Sequence, residues 1–195
     1  AIDTNNRIQL QYKHSGNEYN FTFKGGGTAK TAVERPSVSH ENDGNFHHIV
    51  CTWDKGDDNE MKIYVDGSLG ATTALASVAL SGDFDDTPDS TVGPDGAGGV
   101  EILSGTSFNG SADLNAFLDD FALYGDVLSA GEVETLYNSG TSDPSLYAEL
   151  DNRVAHWKFN EGAGATVTDS VNSFVGTLGT GANAPAFSTN NAAGE

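Results

Sequence analysis

The chain has 195 residues, 37% of them hydrophobic, with 24 glycines, one cysteine, and 28 acidic against 9 basic side chains for a formal net charge of −19. That length suits one all-β sandwich able to bury a core without staples, and so much glycine is what many short strands separated by turns with positive φ require. Long-range repulsion disfavours nucleic acid, anionic membranes and acidic polymers as partners, the single Cys51 excludes a disulfide framework and a cysteine-based zinc site, and no apolar run is long enough to span a bilayer.

Ile8, Leu10 and Tyr12 alternate with polar residues, and after His14-Ser15-Gly16-Asn17 a second run puts Tyr19, Phe21 and Phe23 on one face, which predicts a hairpin. Gly25-Gly26-Gly27 ends it, and a connection rich in Thr, Ala and Ser, with Pro36, leads to a second hairpin. There Phe46 to Asp54 and Met61 to Asp66 alternate on either side of an acidic turn, and Asp66-Gly67 makes a tight corner. The stretch 71–80 reads as an edge strand or loop, and 81–99, dominated by Asp, Gly, Pro, Ser and Thr, as a long surface loop. Val100 to Leu103 is a short strand and Ala116 to Tyr124 a strong one, in which Phe117, Phe121 and Leu123 share a face with Asp119.

Ser129 followed by Glu132 is a capping box, with Leu128 and Val133 placed as a hydrophobic staple, so a short helix is expected from about Ser129 to Asn138 with Val133, Leu136 and Tyr137 as its apolar stripe. Residues 141–152 form a polar linker, Val154 to Phe159 a further strand, and the tail after Asp169 one or two short strands. The fold class that follows is all-β, an antiparallel β-sandwich with one short closing helix. The domain division expected is a sandwich over 1–140, the linker, and strands over 153–195 that complete the sandwich or pack on a neighbour. The chain begins at Ala1 without Met, as a processed or excerpted product would.

Little of this carries catalytic chemistry. His47 and His48 are adjacent, so on a strand they face opposite ways and cannot both ligate one metal, and His14, His40 and His156 show no ligand spacing. No Gly-x-Ser-x-Gly elbow is present. Trp53 and Trp157 sit in strong strands where burial is expected, Cys51 reads as a small buried hydrophobe, and Tyr12, Tyr19, Tyr64 and Tyr124 are candidate surface aromatics. The excess of carboxylates is read first as a solvated surface, and alternatively as ligands for a hard cation such as Ca²⁺.

Phe46 to Asp54, Lys62 to Gly67, and Leu118 to Tyr124 followed by Leu128-Ser129-Ala130 and Leu136-Tyr137 resemble the concanavalin A-like lectin/glucanase superfamily, and within it the laminin-G-like jelly-roll domains. The patterns there are W-H-H-V-A-x-T-Y/W-D, K-L-Y-V-D-G, I-D-D-V-R-I-Y and A-L-S-A-x-E-I-x-x-L-Y, with Phe46 standing here for the first Trp. Val154 to Leu178 resembles the opening of such a domain but follows the closing helix, an order that fits a circular permutation, an excerpt of a longer protein or strands shared between subunits. A weaker resemblance, to structural proteins of marine tailed phages, rests on a few short strings.

The resemblance implies a jelly roll and a Ca²⁺ site in which Asp119, Asp120, Asn160, Glu161 and Asp169 supply oxygens. It also raises the glucanase motif E-x-D-x-x-E, of which Glu149-Leu150-Asp151 is the start, but Val154 stands where the second Glu belongs. The expectation is therefore a non-catalytic recognition or structural module with no catalytic residues. It would bind a glycan or neighbouring protein subunits in an oligomeric assembly outside the cell or on a virion surface, with no nucleic acid or membrane partner. The alternative is a glycan-active enzyme or its carbohydrate-binding appendage.

Overall fold

A computed structural model describes residues 7–25, 28–40, 43–54, 58–75, 116–137, 152–178 and 186–188. The acidic loop 81–99, the strand expected over 100–103, Glu149 and Asp151, and the linker up to Asp151 lie outside the described residues. The chain divides into two compact units, Ala1–Leu114 and Asn115–Glu195.

In the first unit β1 (Arg7–Lys13) and β2 (Glu18–Gly25) pair antiparallel in the register their alternation predicts, with Ile8 opposite Phe23, Leu10 opposite Phe21 and Tyr12 opposite Tyr19. A 3-10 turn, His14–Gly16, joins them, and Asn17 at φ 46° completes the reversal, a conformation Asn tolerates better than most residues. The segment after the glycines is not a mere connection: Thr28–Glu34 forms β3 against the far side of β2. Its small side chains hide the alternation, yet Ala32 is wholly buried and belongs to the core cluster.

The second sheet is β4 (Ile49–Trp53), β5 (Glu60–Val65) and β6 (Ser68–Ala74), in that order and antiparallel. Asp66 and Gly67, at φ 49° and 77°, turn β5 into β6; both central residues need positive φ in the hairpin turn whose twist matches the strands. Pairing jumps from Ile63–Ala71 to Tyr64–Leu69, leaving Gly70 as the extra residue of a bulge. A Cβ there would come within 2.4 Å of the Glu34 side chain on β3.

Tyr19, Phe21, Phe23 and Ala32 of the first sheet meet Met61, Ile63 and Leu75 in one buried cluster, with Ile49 and Cys51 of β4 packed against it. Two antiparallel sheets sharing an interior make a β-sandwich, consistent with a jelly roll.

In the second unit β7 (Phe121–Tyr124) pairs antiparallel with β8 (Arg153–Trp157), linking the strand before the helix to the strand after the linker. β7 is shorter than the alternation suggested. Asp120 at φ 47° bends the chain before it, and Phe117 is exposed. The helix α1 (Ala130–Tyr137) begins as predicted: Ser129 N–H donates to Glu132 Oε2 at 2.7 Å and Glu132 N–H to Ser129 Oγ at 3.3 Å. Val133 and Leu136 are buried beneath it. β9 (Thr166–Thr168) and β10 (Val175–Thr177) form a short hairpin in which Gly176 lies against Val167. No helix among the described residues is long and apolar enough to cross a membrane.

Candidate functional sites at the two rims

β4 carries Ile49, Cys51 and Trp53 on its core-facing side, and these three positions run from one rim of the first unit to the other. The span is about 17 Å for a five-residue strand. At the far rim Trp53 leans on Phe21 and Phe23, its ring centroid 6.2 and 6.5 Å from theirs, and is nonetheless 38% exposed. Burial was expected of it from its place in a strong strand. Being the last residue before a polar turn, it is backed by the core on one side only. Met61, which pairs with Trp53, faces the core, so the neighbouring Lys62 and Glu60 lie on the other face of the sheet; there Lys62 Nζ is 3.1 Å from Asp58 Oδ2 and 3.4 Å from Glu60 Oε2, contacts that raise the pKa of the ammonium.

At the opposite rim the chain leading into β4 meets the turn after β5. His47 Nδ1 lies 2.9 Å from Asp66 Oδ2 and its Nε2 2.9 Å from Asp43 Oδ2, so both ring nitrogens face carboxylates. Asp66 is held by its other oxygen, which accepts the His48 N–H at 3.0 Å. His40 stacks on His47, centroids 3.5 Å apart and planes 3° from parallel, with its Nδ1 3.1 Å from the Tyr19 hydroxyl. Asn17 locks the approach, donating to the Pro36 and Val38 carbonyls at 3.0 and 2.8 Å and accepting from the Tyr12 hydroxyl at 2.9 Å.

The electrostatics follow from that geometry. Burial works against charge on His47, but Asp66 and Asp43 outweigh it and raise its pKa. Burial and the neighbouring His47 lower the pKa of His40. The Asn45 amide and His47 bring Asp43 down to about 2, and burial raises the Tyr19 phenol. In the sequence His40 shows no ligand spacing. Only the path of the chain past Pro36 brings it against His47.

Of the four candidate surface tyrosines, Tyr19 and Tyr64 are buried and Tyr12 and Tyr124 half-buried. Trp157, half-buried, packs on Phe121 with centroids 5.9 Å apart.

In the second unit the residues of the expected Ca²⁺ site serve different partners. Asp169 is 1% exposed and its carboxylate accepts the amides of His156 at 2.6 Å, Val171 at 3.0 Å and Asn172 at 2.7 Å. Burial alone would raise its pKa, but these amides overcome that and hold it below the usual carboxylate value. Glu161 Oε1 accepts the Thr168 N–H at 2.9 Å, and Asp119 Oδ1 accepts the Asp120 N–H at 3.2 Å. Asp120 Oδ1 lies 2.8 Å from Nε2 of the fully buried His156, whose Nδ1 faces Arg153 Nη1 at 3.1 Å. Arginine can only donate, so this ring carries its proton on Nε2 toward Asp120. Asn160 is exposed. Among the described residues, no three of Asp119, Asp120, Glu161 and Asp169 bring a carboxylate oxygen each within 4.8 Å of one another.

A family model described as the concanavalin A-like lectin/glucanases superfamily matches residues 1–134. Among solved structures, an S-layer domain-containing protein from Clostridium thermocellum ATCC 27405 is similar at 17% identity and a TM-score of 0.35, over 70% of this chain and 65% of that one, a likeness too loose to carry an argument. No curated protein matches.

Proposed function

We propose that this chain, which belongs to the concanavalin A-like lectin/glucanases superfamily, is a non-catalytic binding module that takes a glycan at the Trp53 rim. The reading rests chiefly on one observation: a tryptophan 38% exposed at the edge of the core, its ring backed by Phe21 and Phe23. An exposed indole face held in place is what sugar recognition uses, because the apolar side of a pyranose stacks on the ring. Rigid backing by Phe21 and Phe23 limits the rotamer entropy lost on binding. The ligand is placed outside the cell, where polysaccharides are the abundant partners of such modules.

The test is a glycan array followed by incubation of every bound glycan with the protein and assay for newly released reducing ends. Binding without release is expected. Release of product would establish the enzyme alternative, and failure to bind any glycan while retaining a folded circular dichroism spectrum would remove the glycan reading in favour of a protein ligand.

A further inference from the structure

We propose that His40, His47 and Asp66 form a binding site for a divalent transition-metal ion of the zinc class, with Asp43 bracing the far side of His47. The proposal is independent of the glycan reading, since it concerns the other rim of the same sandwich.

Three observations lead to it. One ligand atom from each of His40, His47 and Asp66 lies within 4.8 Å of the others, and this is the group among the described residues in which three such side chains converge. A tetrahedral ion with bonds of about 2.0–2.2 Å sets its ligands roughly 3.3 Å apart. Closing to that distance asks for shifts of about an ångström and for the two stacked rings to open from parallel, so that their lone pairs meet.

The second observation concerns charge. An imidazole with one proton offers one N–H and one lone pair, yet both nitrogens of His47 lie 2.9 Å from carboxylate oxygens. One of those contacts sets lone pair against carboxylate unless a cation sits there, either a second proton or a metal ion. A second proton would satisfy His47 alone, with His40 keeping its contact to the Tyr19 hydroxyl. A metal ion takes a lone pair from each ring.

Third, the surrounding groups hold the ligands as outer partners do in metal centres. In the tautomer that donates Nδ1–H to the Tyr19 oxygen, Nε2 of His40 carries the lone pair. Asp66 keeps one oxygen on the His48 amide and turns the other toward His47, while the Asp66-Gly67 corner fixes its backbone at positive φ. Two imidazoles and a carboxylate select Zn²⁺, Co²⁺, Ni²⁺ or Cu²⁺ over Ca²⁺, which wants six to eight oxygens.

The experiment uses the full chain dialysed against EDTA. Calorimetric titration with Zn²⁺ should give one site per chain, weakened tenfold or more in His40→Gln and in Asp66→Asn, and unaffected by excess Ca²⁺. Ring ¹H–¹⁵N spectra of the unmodified protein provide a readout that needs no variant to fold: Zn²⁺ should shift the His40 and His47 resonances and leave those of His156. Absence of a Zn²⁺ site, affinity unchanged in both variants, competition by Ca²⁺ as expected of a merely acidic surface, or shifts that miss His40 and His47 would each overturn the proposal.

Discussion

Asp169 shows how much one side chain can hold. A buried carboxylate that accepts three backbone amides organises the bend between β9 and β10 and ties it to β8 through His156. Asp169→Ala should leave those donors unpaired and cost about 3 kcal/mol of unfolding free energy, read by urea titration. The pH dependence has a definite sign. Because the folded-state pKa lies below that of the unfolded chain, the stabilisation is complete above about pH 4 and is lost as pH falls through the folded value. The variant should accordingly lose less stability than the parent between about pH 4 and pH 2. Equal losses would contradict this role. Cys51 gives a second check: packed against the core, its thiol is pushed up to about 12 by loss of solvation. At pH 8 it should react with disulfide reagents orders of magnitude more slowly than a free thiol, and at the free rate once urea unfolds the chain.

Elements were legible in the sequence where side-chain period and local hydrogen bonding agree. The β1–β2 register could be written down beforehand because Ile8, Leu10 and Tyr12 on one strand and Tyr19, Phe21 and Phe23 on the other are large enough to mark a face. The helix start was legible because Ser129 and Glu132 satisfy each other's backbone without help from the rest of the fold. Ser129→Ala should cost about 1 kcal/mol, measured as a fall in the urea midpoint at unchanged slope; a cost near zero would mean water caps the helix as well as the hydroxyl does. β3 was illegible for the opposite reason. Its Thr and Ala residues show no contrast between faces, and only the neighbouring β2 and the facing sheet decide which side is buried. β7 was overdrawn because alternation in Ala116 to Asp120 continues a pattern that the backbone abandons at Asp120.

At the scale of the molecule, the family was readable from strands that line the core, while both rims depend on where strands end. Trp53 is buried by every local criterion and exposed only because β4 stops there; His40 has no pattern at all and acquires partners through the chain's return past Pro36. A shared core with two chemically distinct rims, one aromatic and one rich in imidazole and carboxylate, gives the first unit two separate places for the two proposed ligands. The most direct test of that account is the affinity of the strongest glycan from the array for the parent protein, Trp53→Phe and Trp53→Ala, measured by calorimetry with Zn²⁺ absent. We predict a small loss for the Phe variant and at least a tenfold loss for the Ala variant, with Cys51 still protected from reagent in both. An Ala variant that stays folded and binds as tightly as the parent would contradict it.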